Sequence, residues 1–130
     1  MSASERSLLH AVNATRVAYG LSPLSADPVL TRAAESYSRT LLARDVFEHG
    51  DFAARMQAFG ARGPVLAENI AWGTGPYRAA GAIVREWMQS PPHRANLLRP
   101  GFRRIGLGAA VGTFQGYSGA IVVTADFAGR

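Results

Sequence analysis

The sequence predicts an α+β fold in which helices come first and cover an antiparallel sheet that follows. Three observations predict it. The N-terminal third repeats apolar side chains at helical spacing, the C-terminal quarter alternates them at strand spacing, and no linker or internal repeat divides the chain. At 130 residues, 48% hydrophobic and 18% charged, the chain is long and apolar enough for one core, so a single domain over 1–130 is expected.

The elements follow in order. Ser4 is placed to cap a first helix with Glu5 in its first turn, and Leu8, Val12, Thr15 and Tyr19 repeat along it until Gly20. Asp27-Pro28 is a second start signal, an N-cap followed by proline at the first helical position. Leu30, Ala34, Tyr37 and Leu41 form the apolar stripe there, with Glu35 and Arg39 as an i,i+4 pair on the wet face. Val46 to Gly63 is mixed. Leu66, Glu68, Ile70 and Trp72 alternate with Ala67, Asn69 and Ala71, which predicts a strand, and Gly73-Thr74-Gly75-Pro76 a turn. Ala80, Ile83, Val84, Trp87 and Met88 mark a third helix, stopped by Ser90-Pro91-Pro92. Ile105 to Val111 and Ile121 to Phe127 alternate as two strands of a hairpin joined through Gly112–Gly119.

Composition excludes whole classes of chemistry. All 14 basic residues are arginine against 9 acidic, a net charge of +5, and there is neither lysine nor cysteine. Schiff-base catalysis, a phosphate-loop lysine, disulfides and cysteine-ligated metal sites are therefore ruled out. No apolar run approaches a membrane span, and residues 1–6 carry no charged-then-apolar leader pattern. No serine sits in a nucleophile elbow, and Gly106-Leu107-Gly108 lies in a strand with no helix after it.

Few candidates for chemistry remain. Glu68 shares its strand face with Leu66, Ile70 and Trp72, so a buried face would leave a carboxylate in apolar company, in need of a partner. His49 and His93, 19 residues before it and 25 after, are the partners to propose; His10 falls inside the first helix. Two imidazoles and one carboxylate suit a divalent metal such as zinc, or proton transfer. The competing reading is a satisfied polar cluster that pins loops to the core. Arg94, Arg99, Arg103 and Arg104 form a basic cluster suited to a polyanion; a nucleic-acid role is disfavoured.

Taken together, the motifs resemble a known family. Trp87-Met88-Gln89-Ser90-Pro91-Pro92-His93-Arg94-Ala95-Asn96-Leu97-Leu98, then Phe102 and Ile105-Gly106-Leu107-Gly108, is similar to the signature of bacterial CAP-domain proteins. CAP stands for cysteine-rich secretory proteins, antigen 5 and pathogenesis-related 1; the module is also called the SCP-like domain. Asn13 to Arg16, Phe47-Glu48-His49, Arg55-Met56, Glu68-Asn69-Ile70 and Thr124 to Phe127 match further family motifs in the same order.

The resemblance implies an α-β-α sandwich with a central antiparallel sheet covered by helices on both faces. It also implies a cleft whose tetrad positions are His49, Glu68, Ser90 and His93, and a structural signature of Asn13, Arg16, Asn69, Trp87, Arg94 and Asn96. Serine stands where many relatives have a second glutamate, and Glu86 lies out of register with that position. A hydroxyl hydrogen-bonds but brings no charge, so calcium is a poorer match than zinc held by His49, His93 and Glu68. The function implied is a secreted or cell-envelope module, monomeric and free of disulfides, whose cleft takes a ligand, a metal or an envelope or host component. The alternatives are a metal-dependent hydrolase using His49, His93 and Glu68, and a binder of anionic polymer or membrane surface through its arginines.

Overall fold

Ser2, not Ser4, caps the first helix of the computed structural model, which describes all 130 residues. In α1 (Ala3–Ala18) the Ser2 hydroxyl accepts from the Glu5 amide, and the Glu5 carboxylate accepts from the Ser2 amide. That reciprocal box satisfies two orphan donors, which Ser4 could not do with Glu5 beside it. Glu5 is almost fully buried, and its other oxygen accepts from the Ala109 amide, tying the helix to the sheet.

The second helix, α2 (Pro28–Arg44), starts at the Asp27 cap as the sequence predicts. The mixed segment contains a further helix, α3 (Phe52–Phe59), capped by Asp51. Ser90-Pro91-Pro92 does more than stop α4 (Ala80–Met88): it opens α5 (Pro91–Leu97), because proline fits the first turn of a helix, where its missing amide has no partner to lose. Glu35 forms no ion pair with Arg39. Burial, then the hydrogen bond and charge of neighbouring Glu5, push its carboxyl up.

Strands β1 (Ser25–Ala26), β2 (Leu66–Gly73), β3 (Arg104–Phe114) and β4 (Tyr117–Ala128) form one sheet in the order β1-β3-β4-β2. β3, β4 and β2 are antiparallel, and the two-residue β1 adds to β3 in parallel. The hairpin is tighter than the glycine spacing suggests. Only Gln115 and Gly116, both at positive φ (51° and 82°), lie between Phe114 and Tyr117. Two left-handed residues match the twist of a two-residue hairpin.

Helices cover both faces, giving an α-β-α sandwich. Ile121, Val123, Ala125 and Phe127 of β4 pack with Leu8, Val12, Ile83, Val84, Trp87 and Leu97 of α1, α4 and α5. Ala120 and Val122 pack with Tyr37 and Leu41 of α2, and Ala128 with Leu30 and Met56 of α2 and α3. On β3 that second face is glycine: a Cβ on Gly106 would collide with the Leu30 backbone, and one on Gly108 with the Ala34 backbone. The small residues of β3 are therefore where α2 lies directly on the sheet.

Buried polar side chains close the layers. Arg16, fully buried, donates to the carbonyls of Ser22, Leu97 and Arg99 at 2.8–3.1 Å and to that of Phe102 at 3.5 Å. Asn13 exchanges two bonds with the Leu24 backbone. Arg104, grouped in the sequence with the basic cluster suited to a polyanion, instead pairs with Asp27 at 2.8 Å and donates to the Arg62 and Gly129 carbonyls.

Candidate functional site

The site is built on β2, whose alternation decides which side chains reach which helix layer. Glu68 and Ile70 point toward α2 and α3, while Asn69 and Ala71 point toward α4 and α5. From the second group hangs the His93 turn. Asn69 donates to the His93 carbonyl at 3.0 Å, Asn96 donates to the Asn69 side-chain oxygen at 2.9 Å, and the Trp87 indole donates to the Ile70 carbonyl at 3.1 Å. These bonds seat α4 and α5 against β2. The Ser90 hydroxyl leaves the N-terminus of α5 uncapped and bonds the His93 Nδ1 at 2.9 Å instead.

On the other face Glu68 is enclosed, its side chain 2% exposed. Arg55, from α3, grips it with both terminal nitrogens: Nη1 donates to Oε2 at 2.9 Å and Nη2 to Oε1 at 2.7 Å. His49 Nδ1 meets Oε1 at 2.9 Å. A carboxylate only accepts, so His49 Nδ1 is the donor in this bond and Nε2 is not engaged by it. Arg55 also donates to the His49 carbonyl at 2.7 Å and lies 3.4 Å from the centroid of the Tyr37 ring, while the Tyr37 hydroxyl donates to the Glu48 carbonyl. The loop carrying His49 is thus held by three bonds from α2 and α3 side chains and β2.

Sequence reasoning missed Asp126 as part of this site. Asp126 lies directly across the register from Glu68 and is fully buried, and neither of its oxygens meets a donor. Two ionised carboxylates cannot bond one another, so one proton is shared between them. Burial, then the hydrogen bond and charge of Glu68, raise the Asp126 carboxyl well above the usual carboxylate range. Burial pushes Glu68 upward too, but donors from Asp126, Arg55 and His49 outweigh it and hold its carboxyl below the usual range. Asp126 is the acid that keeps the proton, and Glu68 the anion. Arg55 was also missed: the Arg55-Met56 motif marked it as a family match, but nothing in its spacing named it as the partner of Glu68.

His49 and His93 come close enough for the charge of one to act on the other. Burial, then that charge, lowers the His93 imidazole, with Glu86 opposing. His93 does not bond Glu68; its ring partner is Ser90. The four tetrad positions therefore fall into two pairs, His49 with Glu68 and His93 with Ser90. No three His, Asp or Glu side chains are arranged to hold a metal ion. The Glu68 oxygens expected as ligands are turned to Arg55 and His49, so the trio His49, His93 and Glu68 does not fit a three-ligand zinc site as it stands. A cleft of about 440 Å³ opens nearby between α2 and α3, beside Tyr37, Glu48, Asp51 and Arg55, but His49, Glu68 and His93 are not in its walls. The His49 side chain is instead about half exposed, at 48%. His10 is exposed on α1, and Arg94 lies over the Tyr19 ring.

Residues 9–127 match the model of the cysteine-rich secretory protein (CAP) family. The chain is 34% identical over 113 residues to the uncharacterized protein YkwD of Bacillus subtilis (strain 168), covering 83% of this chain and 43% of YkwD. It is similar to an extracellular protein containing an SCP domain from Bacillus anthracis strain Ames, with a TM-score of 0.82 and 23% identity, over 98% of this chain and 40% of that one. The chain thus spans about two fifths of these longer relatives. It also resembles NaASP2, whose crystal structure was determined with Zn2+ (TM-score 0.69, 13% identity, all of this chain and 85% of that one).

Proposed function

Because the chain belongs to the CAP family, we propose that it is a non-catalytic binding module acting outside the cytoplasm, with His49, Ser90 and His93 as its contact surface. The observation that carries this reading is the state of Glu68. A general base or a metal ligand needs a free lone pair, and here the carboxylate accepts three bonds and faces the proton of Asp126. Glu68 orients His49 rather than reacting, in the way a carboxylate behind a metal-bound imidazole does. What is left to meet a ligand is the imidazole Nε2 of His49, with the Ser90–His93 pair beside it. An extracellular location is supported by the Bacillus anthracis structure, and no helix is long and apolar enough to cross a membrane.

Zinc bears on the same surface. NaASP2 was crystallised with it, whereas here no three His, Asp or Glu side chains are grouped to hold the ion. Nitrogen-15 NMR of the histidines, with zinc chloride as the probe and carbon-13 observation of the Glu68 carboxyl, tests the reading. The expected result is a His49 protonated at Nδ1, zinc shifting both histidines, and a Glu68 carboxyl signal that does not move. A Glu68 signal that shifts with zinc would make it a ligand and favour the hydrolase reading instead.

A further inference from the structure

We propose that an arginine-walled groove beside α5 is a docking site for an acidic peptide segment that also carries apolar side chains. The groove has two arms. One, of about 500 Å³, runs over Met88, Pro91 and Leu98 between Arg94 and Arg99. The other, of about 300 Å³, runs over Val65 and Phe102 past Arg103. Arg99 lines both arms, and no Asp or Glu side chain lines either. Neither includes His49, Glu68, Ser90 or His93; the first arm adjoins the surface proposed above through Gln89, Pro91 and Arg94 but uses other side chains.

Arg94 and Arg99 are poised rather than spent, whereas Arg103 already donates to the Pro100 and Phe102 carbonyls. The Arg94 guanidinium lies 5.1 Å from the Tyr19 ring centroid and that of Arg99 lies 5.4 Å from the Phe102 centroid, and neither enters an ion pair or a side-chain hydrogen bond. A guanidinium stacked on a ring is oriented while its edge donors stay free for a planar, bidentate acceptor, which a carboxylate provides. This contrasts with Arg16, Arg55 and Arg104, whose donors are taken up inside the protein. The floor chooses among anions. Met88, Leu98 and Val65, each half-buried, offer apolar surface that a phosphate polymer could not cover, and a flat bilayer does not enter a groove. A segment alternating acidic and apolar residues satisfies both walls and floor.

The test is fluorescence anisotropy with a short dye-labelled peptide alternating glutamate and leucine. Two control peptides carry glutamine for glutamate or serine for leucine; polyphosphate and phosphatidylglycerol vesicles compete. Saturable binding is expected, weakened by salt, by either control sequence, and about tenfold by Arg99→Gln. Arg32→Gln, an exposed arginine on α2, leaves it unchanged. Circular dichroism melting of Arg99→Gln matching the parent excludes misfolding, and Arg94→Gln gives a second reading of the same wall. Equal affinity in the parent and Arg99→Gln overturns the proposal, as does no binding. So does binding that ignores the loss of leucine while polyphosphate or vesicles compete better than the peptide.

Discussion

Arg55 decides what Glu68 can be. With the Glu68 side chain 2% exposed, an anion survives there only because a guanidinium contributes two donors and a positive charge. Arg55→Met should therefore cost about 3 kcal/mol at neutral pH, the penalty of a buried charge left without its partner. In a Glu68→Gln background the same change should cost far less, because the charge to be neutralised is gone. Urea unfolding of the four proteins in this cycle measures the coupling; equal costs in both backgrounds would show that Arg55 matters only by filling space over Tyr37. The same residues show how far a site can be read from a sequence. Glu68 was visible, being one acid among Leu66, Ile70 and Trp72. Its partners were not, because Arg55 comes from a segment whose pattern was mixed and Asp126 from a strand whose alternation does not say what covers its even positions. Only the pairing register puts Asp126 opposite Glu68, and only the second helix layer makes that face dry.

Among the elements, α2 meets β3 backbone to backbone, and that contact rests on two glycines. Gly108 needs no unusual backbone angle; what it provides is the missing Cβ, since a methyl group there would meet the Ala34 carbonyl and the Glu35 amide. Helix backbone cannot step aside as a long side chain can, so Gly108→Ala should lift α2 from the sheet. The expected loss is about 3 kcal/mol, at the upper end of overpacking costs. Gly116→Ala should act differently, through its left-handed φ of 82° in the hairpin turn with open space around it. Denaturant midpoints check the contrast: if Gly108→Ala is as stable as the parent, the close approach is not what requires glycine. The alternation of small residues on β3 was evident in the sequence, but its reason needed the helix above it. Elements with strong periodicity or an Asp-Pro start were readable for the same reason that they form: their local signals and their packing agree. The proline pair after Ser90 was legible as the stop of one helix but not as the start of the next, because proline serves both and only the path of the chain tells the two apart.

For the whole molecule, a sheet buried on both faces without a single disulfide puts the burden of stability on packing and on a few internal polar groups. Two of those groups pull its pH dependence in opposite directions. Glu68, held below the usual range, contributes stability that is present above the unfolded carboxylate pKa of about 4 and lost as pH falls. Asp126, held well above it, does the reverse. Below pH of about 4 both folded and unfolded chains carry its proton; above that the unfolded chain releases it while the folded one keeps it, so stability declines as pH rises. Asp126→Asn removes that decline at its source, because asparagine is neutral at every pH and still offers Glu68 an N–H donor. The variant should gain on the parent progressively from pH 4 to pH 7, with a higher melting temperature at neutrality and little difference at pH 3. Thermal melts at several pH values across this range measure it. If the two curves run parallel, the shared proton does not reside on Asp126, and the assignment of acid and anion within the pair must be reversed.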